Sequence, residues 1–213
     1  CYPPNHDQYL REKYGYETEP YRADATEEYI RDIQTYVIPS TVETVGELAF
    51  AYANIRNVYL PEGLKKIETL GFFKLHEPKD QWSNTPSLDN IYSYKTDAEI
   101  LDTHLTSQEN LGEVYLSLPA GLEYIGSDAL SYNQELPYVY IPASVTYIGH
   151  HAFWDTLYEE NGELKGVTVM NVGHSEEEFG NVYQGDSWRP QYDYMLFKKS
   201  VDINYGAQRE ILE

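Results

Sequence analysis

Three features are scarce in this chain of 213 residues: cysteine, basic charge and long apolar runs. A single cysteine excludes an internal disulfide, so cysteine pairing says nothing about the compartment. The 35 acidic residues outnumber the 15 basic ones and give a formal net charge of -20, which argues against nucleic acid as a partner because phosphate recognition needs a basic stripe. No apolar run approaches the roughly 20 residues of a membrane-spanning helix, so we predict no membrane span.

Sequence motifs of catalysis and of metal or cofactor binding are also missing. The chain has no phosphate-binding glycine loop, no G-x-S-x-G turn and no metal-type pairing of histidine with cysteine. The pair His150 and His151 lies inside a repeated segment, which favours a structural or solvent-facing role over a metal site. The acidic run 176–178 is better explained by stabilisation of a helix N-terminus than by calcium binding. We therefore predict no catalytic residues, no metal, no cofactor and no enzymatic activity.

The chain does contain one segment that is repeated four times. Each copy begins with proline and ends with an apolar residue: "PSTVETVGELAF" (39–50), "PEGLKKIETLGF" (61–72), "PAGLEYIGSDAL" (119–130) and "PASVTYIGHHAF" (142–153). A segment of this length recurs when one supersecondary unit is stacked on copies of itself, because a single unit cannot bury its own apolar face. The sequence therefore predicts a repeat protein.

An apolar triplet with the spacing 1, 4, 6 precedes each proline segment. The triplets are Ile33, Tyr36 and Ile38; Ile55, Val58 and Leu60; Leu111, Val114 and Leu116; Leu136, Val139 and Ile141. Two further triplets lack a following proline segment: Leu88, Ile91 and Ser93; Leu164, Val167 and Val169. Positions four and six alternate with an outward residue, which predicts a strand, and proline ends that strand because it has no N–H to donate. Six units of about 22 to 23 residues result, with insertions, the longest near 76–87.

The proline segments predict how neighbouring units pack. Glycine in three copies, at Gly46, Gly126 and Gly149, predicts a bend with positive φ. A small residue and an aromatic one follow, and we expect the small residue to let neighbouring units approach while the ring fills the core. The residues expected to be buried on these grounds are Ala49, Ala129, Ala152, Phe50, Phe72 and Phe153.

The pattern of "VYIPASVTYIGHHAF" (139–153) resembles the BspA-like leucine-rich repeats. Those units read as apolar-x-isoleucine-proline, then x-x-valine-x-x-isoleucine-glycine, then x-x-alanine-phenylalanine, and the resemblance covers about residues 33–172. It implies a right-handed leucine-rich-repeat solenoid, with a parallel β-sheet on one side, short turns or helical segments on the other, and caps at both ends. Two units depart from the pattern, because Tyr94 and Met170 stand where proline is expected.

The extent of the repeats divides the chain into three predicted regions: an N-terminal flank or cap at 1–32, about six repeats at 33–173 and a C-terminal cap at 174–213. "DATE" (24–27) and "SEEE" (175–178) each have the spacing of a helix capping box. "SVDINYG" (200–206) alternates like a strand that closes the last unit. Repeat arrays need such caps to shield the apolar faces of their end units.

A row of tyrosines is the predicted ligand-binding surface. The outward position between triplet residues four and six holds Val37, Tyr59, Tyr92, Tyr115, Tyr140 and Thr168. Four successive tyrosines would form a ladder across the exposed sheet, widened on the same face by Tyr94 and Tyr138; "VYLSLP" (114–119) has two extra residues, which leaves Ser117 as an alternative to Tyr115. The predicted binding residues are therefore Tyr59, Tyr92, Tyr94, Tyr115, Tyr138 and Tyr140. The same rings would also stabilise the sheet, and the sequence leaves both roles open.

The resemblance implies a non-enzymatic bacterial cell-surface or secreted protein that adheres to or recognises a host or partner protein. A carbohydrate-binding module is the first alternative, because tyrosine faces also stack on sugars, and a structural spacer of a larger surface protein is the second. The expected partner is accordingly a protein or a glycan. Cys1 and the following "YPPNHDQ" are typical of the lipid-modified cysteine of a bacterial lipoprotein; otherwise Cys1 only marks where a domain fragment begins.

Overall fold

The computed structural model describes residues 35–51, 53, 55–73, 88–95, 112–192 and 199–212. The chain divides into two compact units, Cys1–Asp32 and Ile33–Glu213, and all described residues belong to the second. Five features predicted from the sequence therefore lie outside the described residues: the lipid anchor at Cys1, the capping box at 24–27, the loop at 76–87, and the triplet residues Ile33 and Leu111.

Most described elements are short strands. They are β1 (Thr35–Val37), β2 (Thr44–Val45), β3 (Asn57–Pro61), β4 (Lys66–Ile67), β5 (Asn90–Tyr94), β6 (Val114–Tyr115), β7 (Tyr124–Ile125), β8 (Val139–Ile141), β9 (Tyr147–Ile148), β10 (Leu157–Glu160), β11 (Glu163–Gly166), β12 (Val169–Val172), β13 (Tyr183–Gln184), β14 (Gln191–Tyr192), β15 (Lys199–Ser200), β16 (Asp202–Tyr205) and β17 (Ile211–Leu212). One helix, α1 (Glu176–Phe179), lies among the described residues. The strands form several sheets that are mostly parallel.

The triplet strands form a sheet that is interrupted in its middle. Strands β1, β3 and β5 pair in parallel, and so do β8, β12 and β16, but β6 runs antiparallel to β5 and to β17. The two extra residues of 114–119 cause the break: Ser117 N–H donates to the Tyr115 carbonyl (3.0 Å) in a tight turn, and Leu118 N–H then donates to the Tyr140 carbonyl (3.2 Å). The single continuous parallel sheet predicted from the sequence is corrected to two parallel groups, which we call the first sheet.

The proline segments form a second sheet where turns or helical segments were expected. Its order is β13-β9-β7-β4-β2, and every pairing in it is parallel. Each strand has two residues, of which one points outward and one inward, so that Val45, Ile67, Ile125 and Ile148 are buried. The unit with Tyr94 in place of proline contributes no strand here, because β4 pairs directly with β7.

The main core is built from the inward residues of both sheets. Ala129 and Ala152 are fully buried, and so are Phe72 and Phe153, as the repeat pattern predicts. Ala49 is exposed and Phe50 only partly buried, contrary to expectation. Both lie in the first repeat, whose strands are the last in their sheets, so among the described residues a neighbouring repeat covers them on one side only. Phe50 is instead stacked on Phe72, with ring centroids 5.1 Å apart.

The repeated glycines serve close approach and not positive φ, which corrects the sequence prediction. A Cβ on Gly149 would lie 2.4 Å from the backbone nitrogen of Ser127, and one on Gly126 would lie 2.5 Å from the backbone of Glu68. Gly46, in the first repeat, has open space around it. Positive φ instead occurs two residues after the glycine position, at Leu48, Leu70, Asp128, His151 and Ser187. The left-handed residue is therefore a repeated feature that glycine does not mark.

The sixth unit is shifted by three residues from its predicted register. Val167, Met170 and Val172 are the buried triplet, and Asn171, not Thr168, is the outward residue opposite Tyr140. The shift has a structural cause, because residues 157–166 form the β10–β11 hairpin with a turn at Asn161 and Gly162. That hairpin holds Leu164, which the sequence pattern assigned to the triplet.

Residues beyond 173 continue both sheets. Ser175 caps α1 in a capping box with Glu178, as the sequence predicts. Strand β13 then pairs with β9 in the second sheet, and β16 pairs with β12 in the first. The backbone carbonyl of Trp188 accepts the N–H of Phe153, just as the carbonyl of Ala152 accepts the N–H of Leu130. Trp188 therefore occupies the repeat position of Ala152. No further described strand lies beyond β13, so the large indole covers the core at a position where the inner repeats need alanine.

Candidate binding surfaces

The predicted tyrosine row is only partly present on the first sheet. Val37, Tyr59 and Tyr92 lie opposite one another in register, and the rings of Tyr59 and Tyr92 are stacked 4.7 Å apart. Beyond β5 the row is broken. Ser117, not Tyr115, stands beside Tyr140, because Leu118 takes the position that Ile141 takes in the next strand. The predicted tyrosine row is therefore reduced to one stacked pair, Tyr59 and Tyr92, and both residues are partly buried.

Tyr94 lies on the outer face of the first sheet but is buried there, with 1% of its surface exposed. Its hydroxyl donates to the carbonyl of Ile38 (2.6 Å), so the ring lies across the neighbouring strand. Val114 and Leu212 contact it in a small second apolar cluster. The sequence predicted an exposed ring, and the burial follows because this face is covered by residues far along the chain.

Tyr115 and Tyr140 are each only 6% exposed, and Tyr138 is half-buried. Arg209 lies over the Tyr115 ring, with its guanidinium carbon 3.9 Å from the ring centroid. Burial raises the pKa of Tyr140, and the nearby Arg209 charge partly offsets this. Burial also raises the pKa of Tyr138, helped by the carboxylate of Glu210. Three of the six predicted site residues, Tyr94, Tyr115 and Tyr140, are thus buried.

A second tyrosine ladder lies on the outer face of the second sheet. Tyr124, Tyr147 and Tyr183 stand opposite one another on β7, β9 and β13. Their ring centroids are 4.4 and 4.6 Å apart, and the ring planes differ by 11° and 10°. Tyr183 is 49% exposed, and the other two are partly exposed. We call these three residues the second ladder.

The sequence contained a signal for the second ladder. In the repeat, the residue before the isoleucine-glycine pair is outward, and two copies have tyrosine there, in "EYIG" (123–126) and "TYIG" (146–149). The third copy reads "VYQG" (182–185), with glutamine for isoleucine, and lacks the preceding proline. The pattern was therefore visible in two copies, whereas the register of the third depended on the hairpin and the helix before it.

Charged side chains flank the second ladder. The Lys66 ammonium lies 6.0 Å from the Tyr124 ring centroid and continues the row on β4. Glu123, next to Tyr124, forms an ion pair with Lys65 (3.7 Å). Burial raises the pKa of Tyr124, with smaller contributions from Tyr147 and Glu68, so its hydroxyl stays protonated at neutral pH. The Tyr124 end of the ladder thus presents a neutral hydroxyl group next to exposed charges.

The model for the "BspA type Leucine rich repeat region" matches residues 28–160 with six copies, which is more than half of the chain. The chain belongs to the BspA-type leucine-rich-repeat family. No curated protein and no solved structure matches it. Proteins built from these repeats are typically non-enzymatic interaction domains of the bacterial surface or of secreted proteins.

The BspA-type repeats carry the two histidines singled out in the sequence. The Nδ1 of His150 accepts the N–H of Asp186 (3.1 Å), which joins two neighbouring repeats. His151 has positive φ, and its ring lies 5.5 Å from that of Trp154. Within the described residues, no group of three or more His, Cys, Asp or Glu side chains is arranged to hold a metal ion. No described helix is long and apolar enough to cross a membrane.

Proposed function

We propose that this BspA-type chain is a non-enzymatic domain of a bacterial cell-surface or secreted protein, that its repeats form a right-handed solenoid, and that it binds a host or other partner protein in adhesion or recognition. The second ladder is the observation that supports this function best. Three tyrosines in register form an ordered surface that no described residue covers, and tyrosine contributes large contact area at low entropic cost.

The stacking geometry favours a protein partner over a sugar. Sugar rings bind aromatic side chains through the ring face, but the faces between Tyr124, Tyr147 and Tyr183 already contact one another at 4.4 and 4.6 Å. The ladder therefore offers ring edges and hydroxyl groups, which suit hydrogen bonds and apolar contacts with a polypeptide.

The tyrosines predicted from the sequence keep a secondary place in this proposal. Tyr59 and Tyr92 are partly exposed and would widen the contact area, as would Tyr138. Tyr94, Tyr115 and Tyr140 support the face from beneath and would contact a partner only after the residues that cover them move away.

A binding screen followed by point variants tests the proposed function. The chain is screened against purified host matrix and surface proteins and against a glycan array. For a protein that binds, we expect Tyr147→Ala to weaken affinity by about thirtyfold, corresponding to about 2 kcal/mol for a central tyrosine. Tyr158→Ala, in the β10–β11 hairpin, is the matched control and should bind normally. Binding of glycans alone would favour the carbohydrate module, and binding of neither class would favour the spacer.

The location is tested separately. We propose that the protein is extracellular or held at the surface of a bacterial cell. Protease added to intact native cells should degrade it, or fractionation should recover it from the medium. Recovery from the cytoplasm alone would contradict the proposed location.

A further inference from the structure

The C-terminal residues 206–212, which we call the strap, lie against the first sheet. The strap begins where Ala207 N–H donates to the Val172 carbonyl (2.9 Å), and it ends with β17 paired antiparallel to β6. In between, the Leu116 N–H donates to the Glu210 carbonyl (3.2 Å). The strap thus binds the repeats as an extended peptide that adds a strand, a common mode of peptide recognition.

One strap side chain, Arg209, enters a polar pocket formed by three repeats. Its guanidinium donates to Ser93 (2.6 Å) and Ser117 (3.2 Å) and forms a two-pronged ion pair with the carboxylate of Glu62, in which one contact is 3.2 Å long. The ring of Tyr115 lies beneath it. We call Glu62, Ser93, Ser117 and Tyr115 the arginine pocket. A planar guanidinium matches this arrangement of carboxylate, hydroxyls and ring better than an ammonium does.

The arginine pocket is held in place without help from Arg209. Glu62 also accepts the N–H of Ala120 (3.0 Å), and the hydroxyls of Ser93 and Ser117 are bonded to each other (3.0 Å). Ser93 is fully buried at a position where the neighbouring strand has Leu60. The repeat pattern is therefore broken at a core position, where Ser93 places a hydroxyl in the pocket, and hydrogen bonds within the repeats orient the pocket side chains.

Outside Arg209, backbone hydrogen bonds hold the strap, and its side chains bury little apolar surface. Gln208, Glu210 and Ile211 are exposed, and Ile211 keeps 58% of its surface accessible. Ala207 has little side chain to bury, and Leu212 makes the main apolar contact. Segments with few buried apolar contacts open at low free-energy cost. Apart from Arg209, the strap therefore buries little apolar surface that would hold it against a competing segment.

We propose that the arginine pocket is a recognition site for an arginine-bearing extended segment of a partner protein, and that the strap fills it in the unbound chain. The partner segment would replace residues 207–212 on β6 and would place its guanidinium between Glu62 and the two serines. The formal charge of -20 attracts such a basic segment over a distance. Release of the strap would also uncover Tyr115, so binding here would change the first-sheet face.

The test uses the full chain with Arg209→Ala, which empties the pocket, and a peptide with the sequence of 206–213, GAQREILE. Binding is measured by fluorescence anisotropy, after circular dichroism has shown that the variant is folded. We expect the variant to bind this peptide about tenfold or more tightly than it binds a peptide with alanine in place of arginine. The lysine peptide should fall between them, and the intact chain should bind more weakly than the variant because its own strap competes.

Two further variants test the roles of the Glu62 carboxylate and of the planar guanidinium. Adding Glu62→Gln to Arg209→Ala should remove the preference for arginine while the chain stays folded. If Arg209→Ala does not fold, Arg209→Lys takes its place, since it keeps the charge but loses the planar fork. Equal affinity of a folded variant for the arginine and alanine peptides, or no binding of either, would overturn the proposal and leave the strap as a permanent structural clamp.

Discussion

The two sheets of the molecule are built from the same repeats, yet only one is continuous. The first sheet has strands of up to five residues and is broken at β6, where the chain reverses direction. Strands of the second sheet have only two residues, but they pair in parallel across five units without a break. Strand length therefore does not decide continuity. The second sheet is continuous because the two strand residues and the left-handed residue that follows them keep their spacing in all the units that form it.

The outer faces of the two sheets differ in the same way. On the first sheet, Tyr94, Tyr115 and Tyr140, which were predicted to be exposed, are buried, and the strap residues Leu212 and Arg209 contact Tyr94 and Tyr115. On the second sheet the tyrosines remain stacked and exposed. The first sheet, which is broken at β6, is thus contacted by residues from outside the repeats. The second sheet is unbroken, and its tyrosines remain exposed.

The largest expected effect concerns the link between the strap and the first sheet. Arg209→Ala should lower the free energy of unfolding by about 2 to 3 kcal/mol, because it leaves Glu62 and two buried hydroxyls without their cation. Both partners of this ion pair are only 17% exposed. Lys165→Ala breaks an exposed pair with Glu163 and should cost less than about 0.5 kcal/mol. Urea denaturation measures both, and equal costs would show that the strap adds nothing to the stability of the first sheet.

The next prediction tests why the second sheet is continuous. Gly149→Ala should destabilise the fold by about 1 to 3 kcal/mol, because the new Cβ would lie 2.4 Å from the backbone of the preceding repeat. Gly46→Ala is the matched control at the same repeat position. It has nothing within 4 Å and should be neutral or slightly stabilising. Thermal unfolding of the two variants compares them, and a neutral Gly149→Ala would mean that the repeats can separate to admit a methyl group.

Much of this fold could be predicted from the sequence, because the buried residues recur at fixed positions in each repeat. The buried residues Val58, Leu60 and Ala152 were visible from the repeat spacing, and α1 was visible as a capping box. The burial of Tyr94 and Tyr115 was not predictable, because Leu212 and Arg209, which contact them, lie far along the chain. The spacing of residues within a repeat predicts contacts between neighbouring repeats. It does not predict contacts with a distant segment such as the strap.

The third prediction concerns the stability that stacking gives to the second ladder. Tyr147 stacks on two rings and Tyr183 on one, so Tyr147→Ala should cost more than Tyr183→Ala, with about 0.5 to 1.5 kcal/mol for each stacked pair. Tyr92→Ala, which loses one stacked ring on the first sheet, provides the comparison between sheets. These stability losses also show how far a loss of binding by the same variants could come from destabilisation. If Tyr147→Ala and Tyr183→Ala are equally stable, the central ring is held by the sheet and not by its neighbours.

The smallest expected effect is a pH dependence at the start of the strap, where Gly206 N–H donates to the carbonyl of His174 (2.7 Å). The His174 ring is 6% exposed, and its Nδ1 has no hydrogen-bond partner among the described residues. Burial lowers the pKa of His174 below its ordinary value of 6.5, against smaller opposing effects of the Val145 carbonyl and of Glu178.

Because the folded pKa of His174 is the lower one, the unfolded chain binds the proton more readily, so protonation at this residue opposes folding. Its contribution to stability is complete above pH 6.5 and falls as the pH decreases from there towards the folded pKa. Urea denaturation at pH 7 and pH 5 should therefore show a larger loss for the native sequence than for His174→Gln, which cannot be protonated. If the native chain and His174→Gln lose the same stability, protonation of His174 does not weaken the fold, and the strap is anchored equally well at both pH values.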